Sequence, residues 1–494
     1  MKGKVIVIGG GIAGLSAGVY AQKCGFDVTI LERHNIAGGI CTSWKRGGYL
    51  FEGGMHWLAG SDKRQPLNRM WRHIGALDDS VNISYCEPFM EFDHDGTAIR
   101  LYRDVDATES HLIELSPDDA GEIRKLCNNI RKVKNFSEPI TDLRGVKVTK
   151  KNPKSLSALL SLLPAISVLS AYSKISVEQY AARFKHKGIS EMLRAMPGKE
   201  QALAMFCMTM GSLARNDGGF PEGGSLPFAE RIVKTFTSLG GEIFYNTRAE
   251  RVVTENGRGV GVLAGEKRFI AGAIIIATDT MAANSLFDTP PKSSWLEEMR
   301  KTTKPTTATF VSLGINADLK KYPERPLFKL KKPIELSGQT YESLLVANYA
   351  ADPAYSPEGK TAMTIQLPGD TYDFWKTAKA EGRYKQEKQK IADEVIIAMT
   401  TQFPEAGGQV EVWDVATPLT YERYCGNWKG SWMSAITDDM KFKPYPSIIK
   451  GLERVYFAGQ RMIPPGGIPV ALMSARTAVQ YLCRDIGTLF VSEE

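Results

Sequence analysis

The chain opens on a β-branched apolar run, Val5 to Ile8, which predicts a strand buried on both faces, as in a parallel sheet. It passes directly into Gly9-Gly10-Gly11. From Ala13 to Cys24, Leu15, Tyr20 and small residues recur at helical spacing, and Gly25 stands where a helix would end. A second apolar run, Val28 to Leu31, predicts a second strand that closes on Glu32. Far along the chain a Gly/Pro-rich segment starting at Asp217 leads into a predicted helix from about Pro227 to Ser238 and a strand after Gly240-Gly241. Short runs with turns at Asn256-Gly257 and Gly265 then predict a β-meander leading to a buried strand that starts at Ala273.

The most apolar stretch, Ser155 to Tyr172, follows Lys147, Lys150, Lys151 and Lys154. It is too short, too rich in serine and broken by Pro164, so it does not predict a membrane span. Two readings stay open. Leu156, Leu159, Leu160, Leu163 and Ile166 could form a face lying in a membrane interface, with the lysines near anionic head groups. Alternatively the segment is a core or tunnel-lining helix pair.

Gly9, Gly11 and Gly14 fit G-x-G-x-x-G, and Glu32 lies 18 positions beyond Gly14. Such a triplet is weak on its own. Set between a strand and a helix, with an acid ending the next strand, it predicts a dinucleotide site. The glycines admit a pyrophosphate to the helix N-terminus, and Glu32 is placed to accept ribose hydroxyls.

The length of 494 residues allows two or three folding units. A net charge of +7 with 24% charged residues is ordinary and argues against a dedicated nucleic-acid binder. Seven scattered cysteines without a C-x-x-C pair suit a reducing compartment, and six separate histidines give no metal-ligand grouping. With an N-terminal apolar run too short for a signal peptide, the expectation is a cytoplasmic protein without a structural metal.

After Glu32, the pair Gly38-Gly39 and the segment GYLFEGGMHWLAG from Gly48 to Gly60 resemble the phytoene desaturase, carotenoid isomerase and retinol saturase group of the amine-oxidase-like FAD superfamily. AIIIATD from Ala273 to Asp279 and LERVYFAGQRMIPPGGIPVALMSARTA from Leu452 to Ala478 resemble the superfamily's returning strand and closing motif. The resemblance implies an α/β fold in which a Rossmann-type FAD-binding domain with a β-meander (1–75, 216–285, 415–494) is interleaved with an α+β substrate domain (76–215, 286–414). It further implies noncovalent FAD, Cys41 notwithstanding, held by Gly9, Gly11, Gly14, Glu32, Arg33, Gly38, Gly39, Met55, Ala249, Ala277, Gly459, Gln460, Gly467 and Ile468. Many relatives carry an acid where Gln460 stands. The helix opening at Gly467, Ile468 and Pro469 would face the flavin ring with its amide end.

For proton movement the candidates are His56, Glu52, Tyr424 and Arg461. A neutral His56 could act as acid or base near physiological pH, or merely bond a backbone carbonyl. Glu52 could equally fix a loop. The run Thr417 to Met433 offers Tyr421, Tyr424, Trp428 and Trp432 as a wall by the flavin, with Arg423 or Lys429 for a polar substrate head, or as ordinary core. Met192, Met196, Met205, Met208 and Met210 with Phe206 suit an adaptable tunnel or an irregular core.

The resulting expectation is an FAD-dependent oxidoreductase that saturates or desaturates carbon–carbon bonds of an apolar, isoprenoid or polyene, substrate. Alternatives are a redox-neutral isomerase, an amine oxidase, and a non-enzymatic prenyl-binding escort protein of the same fold. No second complete G-x-G-x-x-G unit is present, so NADH or NADPH is expected at most as a transient reductant.

Overall fold

Five parallel strands lie side by side in the order Glu242–Phe244, Asp27–Leu31, Lys4–Ile8, Ala273–Ile276 and Val455–Phe457 in the computed structural model, which describes residues 3–136, 140–149, 163–199, 201–435 and 443–493. Alternation along these strands divides their side chains between two cores. Val5, Val7, Ala273 and Ile275 face the helices Ile12–Lys23, Ser225–Ser238 and Ile468–Ile486. Ile6, Ile8, Ile274 and Ile276 face the three-stranded antiparallel meander Arg251–Glu255, Arg258–Ala264 and Lys267–Ile270, meeting Val252, Val262 and Phe269. Both faces are covered, which is why these strands read as unbroken apolar runs. Asn256 and Gly257 both take positive φ, 51° and 77°, the pair a two-residue hairpin turn requires. The observed elements match the expected first strand, first helix, second strand and meander to within one or two residues.

A second sheet has seven strands in the order Val410–Ala416, Ala308–Ile315, Thr361–Pro368, Gln339–Asn348, Pro326–Leu336, Met90–His94 and Thr97–Leu101. Its outer face carries Val311, Leu313, Met363 and Ile365 against Trp375, Ile391, Val395 and Met399 of helices Tyr372–Ala380 and Tyr384–Gln402. The expected break between 414 and 415 falls inside the strand Val410–Ala416, so this strand belongs wholly to the seven-stranded sheet. Helices Ala120–Val133 and Leu203–Ala214 share a further core that takes in Leu126, Ile130, Phe206 and Met210.

Of the apolar segment, Ser155 to Leu162 lies outside the described residues. In the helix Leu163–Tyr172, Ala165 and Val168 are buried while Leu163 and Ile166 are 58% and 52% exposed. Among the described residues no helix is long and apolar enough to cross a membrane.

Candidate active site

One cavity of about 1370 Å³ runs from the glycine motif to the inner face of the seven-stranded sheet. Two helices open onto it. The first, Ile12–Lys23, begins after Gly11, and the second, Ile468–Ile486, begins after Gly467 at φ 103°. Neither start carries a side-chain cap or an acid in its first turn, so the first amides of both helices are left for a ligand.

The three motif glycines do different work. A Cβ on Gly14 would lie 1.8 Å from the Gly9 carbonyl oxygen, so helix and strand pack too closely there for any side chain. At Gly11 the nearest atom to such a Cβ is 3.8 Å away, and the room belongs to the cavity. Gly38 bridges to Gly11, its N–H donating to the Gly10 carbonyl at 2.8 Å, and Gly39 takes φ 64° beside it. Glu32 is held from both ends: the Gly10 N–H donates to Oε2 and the His34 N–H to Oε1, each at 2.7 Å. Among the described residues four polar atoms without a partner, Thr42 Oγ1, Ser43 Oγ, Thr278 Oγ1 and Trp432 Nε1, are buried on residues that line the cavity. Buried polar atoms are rarely left so, and an elongated polar ligand lying over glycines and amide ends supplies the missing partners. The residues present therefore fit FAD.

Of the residues expected to contact the cofactor, Gly9, Gly11, Glu32, Arg33, Gly38, Gly39, Met55, Ala249, Ala277, Gly459, Gln460, Gly467 and Ile468 line the cavity, and Gly14 lies behind it. Arg33 does so as a clamp, its guanidinium donating to the carbonyls of Glu422 and Arg423 at the end of helix Pro418–Cys425. Cys41 donates to the Ser225 carbonyl at 3.6 Å, and burial pushes its thiol up, away from the reactive thiolate.

The four proton-moving candidates separate. His56 stays at the cavity, its ring stacked on Phe310 at 6.0 Å and edge-on to Trp432 at 5.7 Å. Surrounding protein, and then the Arg325 guanidinium, hold it down to about 4, so it is neutral at physiological pH and does not titrate there as expected. Glu52 is a positioning residue: it accepts from the N–H groups of Gly54, Met55 and Ser225 and from the Tyr355 hydroxyl, which occupies both oxygens. Arg461, expected to face the ring, is instead spent on a bidentate ion pair with Asp279, Nε to Oδ1 and Nη2 to Oδ2 both at 3.0 Å, with both side chains 1% exposed. Ser431 and Ser434 take its remaining donors. Tyr424, 45% exposed, packs edge-on against His34 beside Glu32, with neighbours quite different from those of His56.

The aromatic run divides likewise. Tyr421 and Trp432 line the cavity, the former donating to the Gly53 carbonyl at 2.8 Å, whereas Trp428 lies over the Arg461 guanidinium. Arg423 and Lys429 do not line the cavity, so neither meets a substrate head there. Met196, Met205 and Phe206 reach the wall; Met192 and Met210 are core.

Sequence reasoning missed Asp279 as the partner of Arg461, although it ends the AIIIATD segment. It also missed Arg325, Phe310, Leu345, Thr364 and Gln366, which the seven-stranded sheet brings to the cavity from positions without a motif. Only cross-strand register shows them as neighbours.

The glycine cradle, the closing helix and this fold coincide with one known family, flavin containing amine oxidoreductase, which matches residues 12–483. The chain belongs to that family. It is an FAD-dependent oxidoreductase. Among relatives, the all-trans-retinol 13,14-reductase of Danio rerio is 23% identical over 466 residues, covering 85% of this chain and 75% of the relative. The lycopene-forming phytoene desaturase of Paracoccus sp. is 21% identical over 507 residues, 98% of both chains. The solved cyclohexylamine oxidase of Brevibacterium oxydans superposes with a TM-score of 0.62 at 13% identity, covering 98% of this chain and 99% of that one, a likeness of fold.

Proposed function

We propose that this flavoenzyme adds or removes hydrogen across a carbon–carbon bond of an apolar isoprenoid or polyene substrate. The observation that carries this is the cavity wall facing away from the glycines: Phe310, Leu345, Met196, Met205 and Phe206, with a neutral His56, make an elongated apolar space continuous with the cofactor cradle. Flavin, when bound, supplies hydride chemistry at its N5. The chain's own residues then hold the substrate and exclude water. His56, uncharged, offers at most a hydrogen bond to a reacting group, which suits chemistry that avoids a strong acid. The division into a flavin part (1–75, 216–285, 415–494) and a substrate part (76–215, 286–414) belongs to the same reading, with the second boundary moved to Thr417 to spare the strand Val410–Ala416.

FAD is held noncovalently in this reading, since the Cys41 thiol is buried and bonded to a carbonyl. An amine oxidase is disfavoured because Trp428 stacks on Arg461 and does not reach the cavity as half of an aromatic cage. In this reading the protein acts in the cytoplasm, peripheral to a membrane that the exposed Leu163 and Ile166 would meet.

The test follows flavin absorbance without oxygen while NADH or NADPH is added, then supplies all-trans-retinol or phytoene and identifies the product. Bleaching followed by a saturated product supports a saturase, and a product isomeric with the substrate supports an isomerase. Absorbance that bleaches only with the polyene supports desaturation. Hydrogen peroxide from amines with no turnover of polyenes overturns the proposal.

A further inference from the structure

We infer that Arg325 anchors a carboxylate at one end of an otherwise apolar substrate chain. The inference rests on the apolar-substrate reading and narrows it to a class with a single anionic terminus. Arg325 lines the cavity, and its guanidinium donates to the His56 carbonyl at 2.6 Å. Five N–H donors leave most of the fork unused. Among the described residues no carboxylate is bonded directly to its fork; the groups beside it are the Tyr349 phenol, the Cys86 thiol, the Glu324 carboxylate to which that thiol donates at 3.1 Å, and the face of Phe220 at 5.8 Å. Glu324 acts on it only from behind the Cys86 thiol, so the fork keeps free donors on the cavity side, from which a second anion arrives.

Strand register shows the shape of the place. Leu327 pairs with Leu345, and Arg325, just ahead of the strand Pro326–Leu336, lines the cavity together with Leu345, Ala347 and Thr364. Ala347 pairs with Thr364, and Thr364 with Ser312, their hydroxyls 3.3 Å apart. The row Ser312, Thr364 and Ala347 thus puts Thr364 and then only an alanine methyl on the stretch of cavity wall that Arg325 also lines. That gap suits a carboxylate, which a guanidinium fork recognises with two parallel hydrogen bonds. The neighbouring row, Phe310, Gln366, Leu345 and Leu327, is mostly apolar and lies beside it for the chain.

The test uses the FAD-loaded protein and two probes of equal chain length, oleate and oleyl alcohol, in equilibrium dialysis below their micellar concentrations. Oleate is expected to bind about tenfold or more tightly than the alcohol, the scale of a charged hydrogen-bonded pair. Arg325→Met is expected to abolish that preference while leaving alcohol binding unchanged. Arg325→Gln, which keeps donors without charge, is expected to lose most of it and serves if the methionine variant does not fold. Equal binding of both probes to the unaltered protein overturns the anchor but leaves the apolar cavity standing. A preference that survives both substitutions also overturns it. Failure of both probes to bind overturns the apolar reading and the anchor with it.

Discussion

On the side of the parallel sheet the cavity is lined by main chain: glycines at 9, 11, 38, 39, 459 and 467, and the amide ends of two helices. On the side of the seven-stranded sheet it is lined by side chains from five separate strands and a methionine-bearing helix. The frame directly behind the first surface tolerates no added atom, as Gly14 shows. The second is assembled from side chains, and its apolar members exchange volume with one another at little cost. Recognition of a shared cofactor is built from backbone, which sequence spacing fixes rigidly, while recognition of the substrate is built from side chains, which can be exchanged without disturbing the frame.

The largest effect should come from breaking the ion pair that ties the closing motif to the returning strand. Arg461→Met strands the Asp279 carboxylate in a site with 1% exposure, and a loss of about 3–5 kcal/mol is expected in denaturant unfolding. The double variant Asp279→Asn/Arg461→Met should recover part of it; a double variant as unstable as the single would show that the pair is not the unit. Next, Gly14→Ala forces a methyl against the Gly9 oxygen and should cost about 3 kcal/mol, with flavin absorbance per protein falling in parallel. Retention of full flavin in that variant would mean the cradle does not depend on close helix–strand packing.

The third effect sharpens the contrast from the substrate side. Held at about 4 by burial and by Arg325, His56 binds fewer protons in the folded protein than in the unfolded one between there and the ordinary value of 6.5. Its contribution to stability is thus complete above pH 6.5 and is lost as pH falls towards 4. His73, lowered to about 4 by burial and nearby cations, acts with the same sign. Unfolding free energies measured across this window should fall less steeply for His56→Gln than for the unaltered protein; identical slopes would show that the ring is solvated in both states. The smallest effect is expected at the wall. Met205→Leu should change stability by less than about 1.5 kcal/mol and leave flavin content untouched, altering only the KM for the substrate. Loss of flavin there would erase the distinction between the two surfaces.

The same contrast explains what was legible beforehand. Gly9, Gly11, Gly14 and Glu32 announce themselves because a dinucleotide demands that spacing from contiguous chain, and the strands around them are apolar throughout since both faces are covered. Phe310, Gln366 and Arg325 gave no signal: the first two are ordinary strand residues, the third stands just ahead of a strand, and their meaning comes from the pairing of strands far apart in the chain. Glu52 and Arg461 were visible as charges beside the motifs, yet a sequence does not say whether a buried charge faces a ligand or a partner. Here four donors and one aspartate, respectively, had already claimed them.

The two amide-ended helices that open on the cavity start at residues 12 and 468. A ribosome adding about 5–20 residues per second needs on the order of a minute to travel from one to the other. Throughout that interval the nascent N-terminal half has its glycine turn but lacks the strand Val455–Phe457 and the closing helix, so half of the cradle is absent. Capture of FAD in the whole cradle thus waits until the closing helix has been made, and until then the emerging apolar wall goes without the cofactor's cover.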